Sequence, residues 1–170
     1  MADVEVLPSR GYKERFIPKE IAEFFGVKAS YKTDGEIERF YYPIEAEVGK
    51  GVTGYKTKDP NDKKKTYTIG ETSNVFGLNK FLTGGKRIII TEGEEDCMVV
   101  ATALHRQYGK IYPVISMGGT QQTDFLLKNR DKLRQFAEVV LWFDNDEKGQ
   151  EAIPQAARII GIDTLSAFEC

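Results

Sequence analysis

Two short apolar runs in this chain pass directly into carboxylates, and that junction, used twice, limits the fold more than any other feature. The first is Arg87-Ile88-Ile89-Ile90-Thr91-Glu92-Gly93-Glu94-Glu95-Asp96, and the second is Leu141-Trp142-Phe143-Asp144-Asn145-Asp146. Each opens as a β-branched or aromatic run suited to a buried strand, and each continues into a helix-like segment. Strand followed by helix, repeated, implies parallel strands, and in an open α/β sheet the carboxyl ends of the strands form the ligand crevice. Glu92, Asp144 and Asp146 are therefore expected within reach of one another. Carboxylates crowded together repel unless something positive sits between them. The pattern points to a hard divalent cation with oxygen ligands, Mg2+ first and Mn2+ as the alternative. Taken singly, either motif also suits a helix N-terminus, where acids complement the dipole and cap free N–H groups.

The alternation continues after Gly84-Gly85. Strands are predicted at 88–91, 111–116, 139–143 and 164–168, with helices over 94–107, 123–136 and 148–160. Such lengths imply a mostly parallel four-stranded sheet with right-handed crossovers and helices on both faces. Pro154 falls inside the third helical pattern, where it is expected to kink the helix or mark a later start. Gly118-Gly119 follow the second strand; they suit either close approach of a phosphate to the backbone or a plain tight turn.

Upstream the pattern differs. Residues 18–25 read as a short helix with Pro18 at its first turn and Gly26 past its end. Residues 28–31, 37–42 and 52–57 read as strands of a small antiparallel sheet, and Asp34-Gly35 has the composition of a tight turn. The Tyr41-Tyr42 pair suits either the core or stacking on bases. Residues 56–70 are too polar and Pro-interrupted for a buried element, so an exposed loop or ribbon is expected. Charge separates the halves further: residues 1–86 hold fifteen Lys/Arg against thirteen Asp/Glu, and residues 87–170 hold nine against thirteen. The basic excess concentrates at 48–86, the segment most suited to a polyanion. Lys runs are also ordinary solvated surface, and composition leaves the two readings open.

With 170 residues the chain has room for one domain or two small, tightly associated ones, expected over 1–86 and 87–170. No stretch approaches the apolar length of a membrane span, and the N-terminus has neither the basic start nor the apolar core of a secretory signal. A cytoplasmic protein is expected. Cys97 and Cys170 lie far apart, with His105 the sole histidine, so neither a zinc finger nor a disulfide framework is available. Cys97 reads as a small buried residue, and His105 as a helix-surface residue.

Glu92-Gly93-x-x-Asp96 after one hydrophobic strand and Asp144-x-Asp146 after a later one resemble the signature of Toprim domains, found in bacterial primases, topoisomerases and some nucleases. The nearer resemblance is to the phage bifunctional primase-helicases. It includes Phe76-Gly77, Gly84-Gly85-Lys86 leading into the first strand, Asp144-x-Asp146-Glu147-x-Gly149 and the upstream Lys-rich segment. That resemblance implies a C-terminal Toprim subdomain, a Rossmann-like α/β fold, preceded by a smaller mixed α+β subdomain. The implied activity is DNA primase: template-directed joining of ribonucleotides on single-stranded DNA, assisted by Mg2+ or Mn2+. Glu92, Asp96, Asp144 and Asp146 would be catalytic, with Glu92, Asp144 and Asp146 holding the metal. Glu92 is either a ligand or a general base. Lys56, Lys58, Lys63, Lys64 and Lys65 would hold nucleotide or template, with Lys56 and Lys58 matching the family's basic segment best. Implied partners are the template, ribonucleoside triphosphates and a helicase domain of the same polypeptide or a replisome partner, in the cytoplasm of an infected host. The resembling proteins carry a zinc module upstream and a further Lys-Asp-Ala-type acidic motif after the last strand. Neither is in these residues, so a fragment truncated at the Toprim end is expected. The other readings are a Toprim nucleic-acid-binding module of a helicase with little priming, or a Toprim nuclease.

Overall fold

The chain is described by a computed structural model covering residues 2–119, 123–161 and 165–167; for Lys63, Lys64 and 165–167 only the backbone is described. Cys170 lies outside the described residues. There are two compact units, residues 1–73 and 74–170.

In the first unit, α1 (Ala2–Glu5) and a 3-10 turn at Lys13–Arg15 precede α2 (Lys19–Phe25). Pro18 is the N-cap of α2, and Gly26 ends it in the left-handed region, its N–H on the Ala22 and Glu23 carbonyls. Then come β1 (Lys28–Tyr31), β2 (Ile37–Ile44), β3 (Gly54–Asp59) and β4 (Asp62–Gly70), an antiparallel meander in chain order. The expected ribbon at 56–70 is the β3–β4 hairpin. Its tip is closed by Asp59, whose carboxylate accepts the Asn61 N–H at 2.9 Å. Alternation along β2 buries Phe40, Tyr42 and Ile44, and the Tyr12 ring lies 4.9 Å from that of Phe40.

The second unit carries the parallel sheet. Its elements are β5 (Gly85–Thr91), α3 (Glu94–Tyr108), β6 (Val114–Ser116), α4 (Thr123–Lys128), α5 (Arg130–Leu133), β7 (Phe136–Trp142), α6 (Glu147–Ile160) and β8 (Leu165–Ala167). The strand order is β6-β5-β7-β8, every pair parallel. Ile88, Ile90, Val114, Ile115, Val139, Val140 and Leu141 are buried, as runs covered on both faces must be.

The units divide earlier than the expected boundary after residue 86. Phe76 exchanges both backbone hydrogen bonds with Ser116 at 2.9 and 3.0 Å, and Asn74 accepts at 2.5 Å from the Asn129 amide, both residues buried. These pairings place 74–86 with the parallel sheet. Asn129 also separates α4 from α5, its side chain donating to the Phe125 carbonyl at 2.8 Å, so the single helix predicted over 123–136 is two short ones. Pro154 does not delay α6, which starts at Glu147 and runs through it. Pro154 is the eighth residue of α6, where its missing N–H removes one bond from the helix ladder.

Candidate active site

The chain leaves β5 through α3 toward β6 on one side, and leaves β7 through α6 toward β8 on the other. Between β5 and β7 the winding reverses. A crevice forms at such a switch point, outside the carboxyl ends of the strands, because neighbouring connections diverge there. Both acidic motifs stand at this point, Glu92 one residue past β5 and Asp144 two past β7.

Hydroxyl groups fix the turn that presents Glu92. Thr91, fully buried, donates to the Ile115 and Gly93 carbonyls at 3.2 and 3.1 Å. Ser116, at the end of β6, donates to the Glu92 carbonyl at 2.9 Å and accepts the Gly118 N–H at 2.9 Å. The Gly118-Gly119 segment is thereby a tight turn closed on Ser116, both glycines at positive φ. The Glu92 carboxylate accepts the Asp144 N–H at 3.1 Å, joining the two strand ends directly.

Asp146 is the N-cap of α6, accepting the Gly149 N–H at 2.8 Å. Asn145 turns away and accepts from Gln150 at 3.0 Å. Asp144 and Asp146 are exposed, Glu92 half-buried. Gly149 explains the spacing of the second motif. A Cβ there would run into the Asp144 carbonyl and lie 2.9 Å from the Glu92 carboxylate, so only glycine lets the first turn of α6 sit against both.

Burial raises the Glu92 pKa above its ordinary value; the Asp144 N–H opposes this, while the charges of Asp144, Asp146 and Asp96 raise it further. The four acids thus form one electrostatic group. Their oxygen donors suit a hard cation. In the geometry described, Glu92 and Asp146 each hold a backbone N–H, and among the described residues no three Asp, Glu, His or Cys side chains are grouped so as to hold a metal ion.

Cys97 is wholly buried, its thiol donating to the Val114 carbonyl at 3.3 Å, and burial pushes its pKa well up. It is an inert packing residue. His105 lies half-buried in the last turn of α3. Glu94, 3% exposed, is a buried acid for which its sequence position gives no warning. Ser116 and Thr91 carry little signal in the sequence beyond a hydroxyl residue that ends an apolar strand.

The basic residues belong to the first unit. Lys56 and Lys58 are half-buried on β3, cross-strand from Tyr42 and Phe40, and the Lys58 ammonium lies 5.5 Å from the centroid of the Tyr42 ring. Lys65 is exposed, 3.7 Å from the Asp62 carboxylate. The Lys63 and Lys64 side chains lie outside what is described. The tyrosine pair is split by the pleat: Tyr42 is core, and Tyr41 points to the opposite face.

Residues 89–168 match the Toprim-like family. Over 149 residues the chain is 30% identical to the DNA helicase/primase of Enterobacteria phage T3, covering 86% of this chain and 25% of that protein. It thus spans about a quarter of that relative's length. The crystal structure of the primase fragment of the bacteriophage T7 primase-helicase superimposes with a TM-score of 0.81 at 26% identity, covering 95% of this chain and 65% of that one. Primase domains bound to an RNA/DNA hybrid and dTTP, interacting with bacteriophage T7 lagging-strand DNA polymerase, give 0.77 at 28% identity, over 95% of this chain and 80% of that one. A primase of Aquifex aeolicus gives 0.60 at 18% identity over 92% of this chain and 47% of that one, a likeness of fold.

Proposed function

Since the chain belongs to the Toprim-like family and its relatives are primases of phage primase-helicases, we propose that it is the primase core of such a protein, joining ribonucleotides on a single-stranded DNA template. The observation that carries this reading is the hydrogen bond from the Asp144 N–H to the Glu92 carboxylate, which brings both acidic motifs to one switch point. Asp144 and Asp146, with Glu92, would hold a divalent cation, Mg2+ or Mn2+. A cation held there would supply charge neutralisation at the reacting phosphate and would make the attacking hydroxyl more acidic.

The chain's own residues supply the frame. Ser116 and Thr91 hold the Glu92 turn, and Gly149 lets α6 approach it. Glu92 would serve either as one of the cation's ligands or as the base that takes the proton of a 3′-hydroxyl. Asp96, in the first turn of α3, keeps negative charge beside it. Lys56, Lys58 and Lys63 to Lys65 would hold triphosphate or template by charge, in the cytoplasm of a phage-infected cell, with a helicase domain as partner.

The test is incubation with single-stranded DNA, labelled ribonucleotides and Mg2+ or Mn2+, followed by gel separation of short RNA. Products that appear with the parent chain and vanish with Asp144→Ala support the reading; products unchanged by Asp144→Ala overturn the site. One observation favours a second reading, a nucleic-acid-binding module with little priming: in the geometry described, no three acids among the described residues are grouped to hold an ion. That reading expects template binding without RNA products.

A further inference from the structure

The pleat that buries Tyr42 leaves a different set of side chains on the other face of the first sheet. Cross-strand partners point to the same side, so Lys28, Tyr41, Thr57 and Tyr67 form one row across β1 to β4, with Ser30 and Arg39 beside it. Tyr67 is 48% exposed although it is a large aromatic residue in mid-strand. The Arg39 guanidinium lies 4.5 Å from its ring centroid. Arg39 is held there by two hydrogen bonds, to the Lys65 carbonyl at 2.9 Å and to the Thr57 hydroxyl at 3.4 Å. Thr57, buried beneath, donates to the Tyr67 carbonyl at 2.9 Å and accepts its N–H at 3.2 Å. Tyr41 donates to the Ser30 hydroxyl at 3.4 Å. An aromatic plane and a guanidinium plane are thus fixed at the surface by this network.

From this arrangement we infer that the Arg39–Tyr41–Tyr67 face of the first sheet binds single-stranded DNA by stacking unpaired bases. Aromatic and guanidinium planes accept any base, because each base has a π-face. Charge complements the phosphodiester chain: Lys28, Arg39 and Lys65 are distributed along the face. The acids at its border are Glu38, which accepts from Ser30, and Asp62, paired with Lys65. The choice of DNA rests on the proposed primase reading, but the surface is separate, since the register puts Lys56 and Lys58 on the opposite face with Tyr42 and Phe40.

Stacking and charge respond differently to salt, which makes the inference testable without metal or nucleotide. The full chain is titrated against fluorescent oligo-dT and oligo-rU over a salt series, followed by anisotropy. Tyr67→Ala should weaken oligo-dT binding roughly tenfold with the log–log salt slope unchanged. Tyr67→Phe, which keeps the ring, should retain the parent affinity. No measurable oligo-dT binding by the parent chain, a Tyr67→Ala affinity within twofold of parent, an equal loss in Tyr67→Phe, or dependence on Tyr67 for oligo-rU alone would each overturn the inference. A parent chain that makes no RNA yet shows the Tyr67 dependence removes the primase reading and leaves the platform. Primer synthesis that needs Asp144 while Tyr67→Ala binds as parent does the reverse.

Discussion

The two sheets of this chain place chemistry by different rules. In the parallel sheet the candidate groups sit at strand ends, where the order β6-β5-β7-β8 makes a reversal. In the antiparallel sheet the candidate groups sit on strand faces, so a shift of one residue in register would exchange Tyr41 for Tyr42 and a surface for a core.

The largest effect that bears on this difference is loss of charge at the parallel-sheet edge. Asp144→Ala is expected to lower primer synthesis by about 100-fold or more, with thermal stability close to parent because the residue is exposed. Asp146 has a second role as N-cap. Asp146→Ala should therefore also lose about 1 kcal/mol of stability, whereas Asp146→Asn should keep the cap and still lose synthesis. Urea denaturation of both variants alongside the gel assay separates the two roles, and equal stability of Ala and Asn would break the assignment.

Next is a pair of glycines, one in each unit. Gly149→Ala drives a methyl into the Asp144 carbonyl and should cost about 2–3 kcal/mol. Gly35→Ala, at φ 85° with nothing within 4 Å, meets only backbone strain and should cost about 1 kcal/mol. If the order reverses in chemical denaturation, close approach of α6 to the strand end is not what fixes Gly149.

A smaller effect sharpens the faces. Lys56→Ala with Lys58→Ala should flatten the salt dependence of oligonucleotide binding, by roughly 0.7 in log–log slope for each phosphate that is no longer neutralised. An unchanged slope returns β3 to ordinary surface.

The smallest is electrostatic. Because the folded state raises the Glu92 pKa above the ordinary value of 4.5, the folded chain holds this proton more tightly than the unfolded one. Its contribution to stability therefore grows as pH falls through the folded pKa towards the ordinary value, and is lost as pH rises through that window. Asp144→Asn keeps the backbone donor and removes one repelling charge, so carboxyl NMR of the metal-free chain should show the Glu92 titration moving down. No movement would detach Asp144 from the group.

Much of the second unit could be read directly, since Ile88 to Ile90 and Val139 to Leu141 admit little besides buried strands, and the acids follow at once. What escaped was tertiary. The Asn74–Asn129 hydrogen bond and the Phe76–Ser116 bridge join distant residues through polar and backbone atoms, which leave no periodic trace, so the unit boundary and the break between α4 and α5 were invisible. The same holds for Ser116, whose value lies in a carbonyl it reaches across the sheet. In the first unit three of the four strands could be read, with β4 visible only as part of an exposed loop or ribbon, and their facing could not: the Tyr41-Tyr42 dipeptide looks symmetrical until the β1–β2 and β2–β3 registers assign one ring to each side.

The strand order has a further consequence for opening. β5 and β7 each have a hydrogen-bonded neighbour on both sides, and β6 is also bridged by Phe76, whereas β8 pairs with β7 alone among the described residues. Local fluctuations start where few bonds hold the backbone, so amide exchange should be fastest along β8 and slowest along β5 and β7. The carboxylates ride on the strands that let go last. A chain partly loosened by heat or denaturant would then keep Glu92 beside Asp144 after the β8 margin has come apart.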